Sequence, residues 1–116
     1  MDYQLGRLFG ALREHGLFEN TWILFTSDHG EMLGDHYMSQ KNLFFEGSAH
    51  VPFILVPPAG RAIPHNNQVD GVITLADVFP TILAMAGLTP PEDGSGENLL
   101  PFLSGKGQKE KRFYGD

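Results

Sequence analysis

The chain contains no cysteine. Disulfides, thiolate metal sites and a cysteine nucleophile are therefore excluded within these residues, and cysteine usage says nothing of redox compartment. Positive charge is scarce too, with eight Lys and Arg against fourteen Asp and Glu and a formal net charge of −6. No basic run offers a footprint for nucleic acid, and the mixed-sign segment KGQKEKR near the end reads as solvated surface. Long hydrophobic runs are missing as well. The opening MDYQLGRLFGALREHG threads charges through its apolar positions, unlike a signal peptide or a membrane span. Neither a nucleic-acid nor a membrane partner is expected, and the lack of a leader pattern leans localisation toward the cytoplasm. An acidic chain that binds an anion needs local positive charge or a metal to do so.

What is present suits a folded domain: 116 residues, 41% hydrophobic and 19% charged. A chain of this length makes one small domain that buries roughly two thirds of its unfolded surface. Leu5, Leu8, Phe9 and Leu12 recur at helical spacing, with Asp2 placed as an N-cap and Gly16 placed to end the helix. Thr21 to Thr26, TWILFT, is a β-branched and aromatic run without clean alternation, as expected of a strand covered on both faces in a parallel sheet. Val51 to Val56 forms a second such run, closed by Pro57 and Pro58, with Pro52 at its beginning because it lacks an amide donor.

A second helix is predicted with Val78, Phe79, Ile82, Leu83 and Ala86 on its core face and Gly87 at its end. It starts either at Thr74, with Asp77 completing a capping box, or at Asp77, which leaves Pro80 in the first turn. Val72-Ile73 is a candidate extended piece before it. Leu99 to Leu103 forms a short apolar anchor, and RFYGD reads as the start of another strand. The order helix, strand, long loop, strand, helix indicates an α/β fold with a few mainly parallel strands flanked by helices. So few strands make a poor sheet alone, so the chain is expected either to belong to something larger or to form a homo-oligomer.

Between the strands, residues 28 to 50 hold three histidines and several carboxylates. Loops of that length in compact domains are usually functional or disordered. Asp28 and His29 lie at the carboxyl end of the first strand, where open α/β sheets bind ligands, and Gly30 lets the chain turn there. Carboxylate oxygen and imidazole nitrogen both bind divalent metals, yet a lone Asp-His-Gly triplet fits a hydrogen-bonded turn better than a ligand pair. Asp35-His36 repeats the pair, and Glu31 and Glu46 add carboxylates. His15 and His65 read as surface. Lys41 precedes every other lysine by more than sixty residues. Alone it would snorkel at the surface; beside a metal and an anion it would supply the missing positive charge.

Taken in order, WILFTSDHGEMLGDH, Lys41, FFEGSAHVPFILVPP and DVFPTILAMAG resemble the later part of the catalytic domain of the sulfatase family, in the alkaline phosphatase superfamily, from about residue 3 to residue 105. The resemblance implies an incomplete alkaline-phosphatase-like sandwich: a single partial domain over 1–116, with an active-site loop at 28–50 and a C-terminal extension at 106–116. It also implies sulfuric ester hydrolysis, with Asp28 and His29 as metal ligands and Lys41 on the sulfate group. Glu31, His36, Glu46 and His50 are supporting residues around them. The implied metal is calcium by family, with manganese or zinc also compatible with the Asp-His pair. Histidine at the second ligand position resembles the branch of choline-sulfatase-like enzymes and phosphonate monoester or phosphodiester hydrolases. At His50 many relatives carry arginine, whose bidentate carboxylate contact a histidine reproduces poorly.

One departure is larger. The family nucleophile is a formylglycine made from the first residue of a C/S-x-P-x-R motif, and no such motif occurs among the 116 residues. The expectation is a C-terminal fragment of a sulfatase, inactive or nearly so alone, that pairs with an N-terminal segment or with a second copy. The alternatives are a phosphonate or phosphodiester hydrolase of the same superfamily, or a non-catalytic oligomerising module derived from it.

Overall fold

The computed structural model describes residues 1–105 except Asn42, His65, Asn67 and Asp93. His65, the KGQKEKR segment and the RFYGD strand expectation therefore lie outside the described residues. The chain forms two compact units, Met1–Ala59 and a second beginning at Gly60.

The first unit opens with α1, Asp2–Glu14. Asp2 is the first helical residue and not the N-cap, which is Met1; its carboxylate sits in the first turn, where the helix dipole favours it. Gly16 adopts φ +65° and returns its amide to the Arg13 carbonyl, closing the helix as expected. Phe9 meets Phe18 edge to face at 6.2 Å between ring centroids, and the Arg13 guanidinium lies 4.2 Å over Phe18. These contacts tie α1 to the short turn Phe18–Asn20 that leads into β1, Ile23–Thr26.

β1 pairs with β2, Phe53–Val56, in the register Ile23↔Val56 through Thr26↔Phe53. The pair is antiparallel, which corrects the expectation of parallel strands. A parallel neighbour needs a crossover that carries the chain back along the strand. Among its described residues the segment after Thr26 has a 3₁₀ turn, Asp35–Tyr37, and the single turn α2, Glu46–Ala49, and no longer helix, so it leaves and re-enters the sheet at the same end. Pro52 sits just before β2, where its missing amide costs no ladder hydrogen bond.

In the second unit both readings of the helix start are realised. A 3₁₀ turn, Leu75–Asp77, runs into α3, Val78–Met85, so Pro80 falls in the first α-helical turn. The Thr74 amide donates to Asp77 Oδ2 at 2.8 Å, and the Glu97 amide donates to Asp77 Oδ1 at 2.8 Å. The fully buried Thr81 hydroxyl donates to the Asp77 carbonyl at 2.6 Å and accepts the Leu99 amide at 3.0 Å. The face of α3 differs from the expectation as a result: Pro80 and Thr81 are buried, while Phe79 and Ile82 are exposed. Polar bonds to the 97–99 segment, not the apolar stripe, set which side of α3 is covered. The segment then turns into α4, Leu100–Leu103, the anchor expected from its apolar run. No strand forms at Val72-Ile73.

Among the described residues, Met32 and Leu99 are the buried hydrophobic ones. A two-stranded sheet cannot cover both of its own faces, and it is marginal without further layers.

Candidate functional site

The site is built where β1 ends. Ser27 Oγ donates to the His29 carbonyl at 2.8 Å, and the His29 amide donates to Asp28 Oδ1 at 3.1 Å. One carboxylate oxygen of Asp28 is thereby engaged by its own turn, and the other is turned toward the next ring. His29 Nδ1 lies 2.7 Å from the Gly30 carbonyl. A carbonyl can only accept, so neutral His29 carries its hydrogen on Nδ1 and leaves a lone pair on Nε2. That nitrogen lies 3.5 Å from Asp28 Oδ2. A carbonyl holding the far nitrogen while the near one stays free is the usual arrangement of a metal-binding histidine.

The turn rests on α2. The Gly30 amide donates to the Ser48 carbonyl at 2.8 Å, and a Cβ on Gly30 would stand 2.2 Å from the Gly47 carbonyl oxygen. Only glycine allows the two backbones to come so close. Ser48 is buried, its hydroxyl within reach of the Leu43 and Phe45 carbonyls.

Asp28 is exposed, with 82% of its side-chain surface open to solvent, and His29 is more than half covered. Partial desolvation pulls the Asp28 carboxyl upward. The positive charge His29 carries in its protonated form, the amides of Asp28 and His29, and the Lys41 ammonium pull the other way and hold it below the ordinary aspartate value. The loop folds back at its neck, where the Met32 amide donates to the Gln40 carbonyl at 3.0 Å, so Lys41 follows a residue held beside Glu31 and Met32.

The other candidate residues divide. Asp35 and His36 repeat the local bond, with the His36 amide 3.1 Å from Asp35 Oδ1, but His36 Nε2 is 4.0 Å from Asp35 Oδ2. The His36 ring instead stacks on Phe45, with centroids 4.3 Å apart and planes 19° from parallel. Glu46 and His50 join each other across α2, Nδ1 to Oε2 at 2.7 Å, so His50 keeps a single carboxylate contact. Glu31 accepts the Gln40 amide. Gln40 and Ser48 carried no signal in the sequence because each acts through its backbone or a local hydroxyl. Among the described residues no group of three or more His, Asp or Glu could hold a metal by itself. Asp28 and His29 fit as two donors of a larger ligand set.

A family model described as Sulfatase matches residues 1–88. Arylsulfatase K from Bos taurus is 39% identical over 97% of this chain and 20% of its own length. An arylsulfatase from Clostridium perfringens is 41% identical over 89% of this chain and 22% of its own length. Among solved structures, the phosphonate monoester hydrolase of Agrobacterium radiobacter superposes with a TM-score of 0.84 at 42% identity, covering 96% of this chain and 22% of that one. The chain spans about a fifth of the length of the curated relatives it matches. With the family model covering most of its residues and the strand-end Asp-His turn in place, this chain belongs to the sulfatase family of the alkaline phosphatase superfamily.

Proposed function

We propose that this chain contributes part of the metal and sulfate site of a sulfuric ester hydrolase. The observation that carries the reading is the pairing of Asp28 Oδ2 with the free Nε2 of His29, whose other nitrogen is tied to a carbonyl. Asp28 and His29 would hold a divalent cation, calcium by family with manganese or zinc compatible, and when bound it would supply Lewis acidity to an ester oxygen. Lys41 would meet the sulfate oxygens and offset their charge, which an acidic protein does not otherwise do. The Gly30 carbonyl keeps the His29 lone pair on Nε2, beside Asp28 Oδ2, and the α2 contact holds the turn.

Alone, the chain is expected to be inactive or nearly so, because these 116 residues hold no C/S-x-P-x-R motif and hence no formylglycine nucleophile. The assay is hydrolysis of an aryl sulfate with a divalent cation, by the isolated chain and by the chain combined with the nucleophile-bearing part of a relative. Turnover only in the combination is the expected result, and turnover by the isolated chain would overturn the reading.

A second reading takes a phosphonate or phosphodiester as the substrate, favoured by the 42% identity to the phosphonate monoester hydrolase. An aryl phosphonate run beside the sulfate separates the two. A non-catalytic role, as an oligomerising module, is favoured by the two-stranded sheet and by exposed Phe44, Tyr37 and Leu33. Either a second copy of this chain or further sulfatase-domain polypeptide would cover them. Sedimentation of a stable monomer at micromolar concentration would count against self-association.

A further inference from the structure

Glu31 presents a puzzle of charge: a carboxylate two residues from the candidate metal pair, on the loop that carries the candidate sulfate lysine, should repel an anion. Its oxygen is engaged with the backbone amide of Gln40, the residue before Lys41. The Gln40 carbonyl, in turn, accepts the Met32 amide at 3.0 Å. Both polar backbone groups of Gln40 are thus taken by residues 31 and 32, like one rung of a ladder across the neck of the loop. Inside that neck the Gly34 amide donates to the Met38 carbonyl at 2.8 Å.

Gln40 itself has φ +72°, and Leu33, His36 and Tyr37 are also at positive φ. Non-glycine residues hold this region only where neighbouring bonds over-determine it. The Glu31 and Met32 bonds are what over-determines Gln40, and the conformation they impose decides where the chain aims Lys41.

We infer that Glu31 is a positioning residue for Lys41, clasping the Gln40 amide so that the loop returns the lysine to the Asp28-His29 end of β1. The inference rests on the reading of Lys41 as the sulfate contact. Glu31 then needs to touch neither metal nor substrate, and the repulsion it brings is reduced by its hydrogen bond to the Gln40 amide.

The test uses the isotopically labelled chain and its E31A, E31Q and K41A variants, followed by amide exchange at Gln40 and by titration with inorganic sulfate read at Lys41 and its neighbours. In E31A the Gln40 amide should exchange roughly fivefold faster or more, the loss of one charge-assisted bond, and the sulfate response should weaken. E31Q retains an acceptor oxygen without the charge and should fall between the parent and E31A in both readouts. Unchanged exchange in E31A would overturn the clasp, as would E31Q behaving like E31A. Faster exchange with an undiminished sulfate response would overturn the positioning role while leaving Lys41 as the contact. An undiminished sulfate response in K41A would overturn the reading of Lys41 itself, and this inference with it.

Discussion

Two Asp-His dipeptides stand seven residues apart in one loop, and they share the same local bond, a histidine amide on the preceding carboxylate at 3.1 Å. Their surroundings divide them. At Asp28-His29 the far ring nitrogen is tied to the Gly30 carbonyl, and the near one faces Asp28 Oδ2 at 3.5 Å. At Asp35-His36 the separation opens to 4.0 Å, and the ring lies flat against Phe45. The first histidine is oriented by a hydrogen bond, which leaves a lone pair to use; the second is oriented by stacking, which makes it part of the loop's packing. What holds the far side of each ring separates the candidate ligand pair from the packed one.

Removing the carboxylates should separate the pairs most sharply. Asp28→Ala should weaken manganese binding by more than about tenfold, the scale set by losing even an outer partner of a ligand, whereas Asp35→Ala should change it little; calorimetric titration of both variants decides. The glycine beside each pair, Gly30 after the first and Gly34 before the second, offers a second contrast. Gly30→Ala places a methyl against the Gly47 carbonyl and should cost about 1–3 kcal/mol as well as cation affinity. Gly34→Ala meets open space and suffers only its φ of +95°, so thermal melts should show about 1–2 kcal/mol and the cation titration no loss.

Phe45→Ala probes the stacked member. It should cost about 1 kcal/mol and free the His36 ring, visible as altered His36 ring shifts, while His29 signals stay in place. The smallest effect concerns pH. The folded chain holds Asp28 below its ordinary value, so this carboxylate favours the fold above the ordinary aspartate range, and that contribution fades as pH falls through the folded value. Lys41→Met should raise the Asp28 titration slightly toward the ordinary value in a carboxyl-shift titration, because the ammonium is one of several causes.

Much of this was legible locally. Gly16 and Gly87 ended helices, and Pro52 and Pro57 bracketed β2, because each acts through its own backbone. Strand direction was not legible: two apolar runs carry no sign of it, and it follows from where residues 27–52 bring the chain back. Nor was the covered face of α3, since Thr81 joins the Asp77 carbonyl to an amide 18 residues away, a partner no periodicity reveals. At the candidate site, strand-end position alone left Asp28 and His29 as a turn, and the family resemblance is what proposed them as ligands. Gly30 was legible as a turn glycine but not for its contact with α2, and Gln40 and Ser48 were not legible, because they act through backbone groups or a local hydroxyl.

Of the two Asp-His pairs, Asp28-His29 is the one proposed to hold a cation. Manganese added in small amounts to the labelled chain, with line broadening read residue by residue, tests it directly. The expected result is weak binding that broadens Asp28 and His29 well before the His36 ring. Broadening centred on His36, or none at His29 at millimolar manganese, would contradict it.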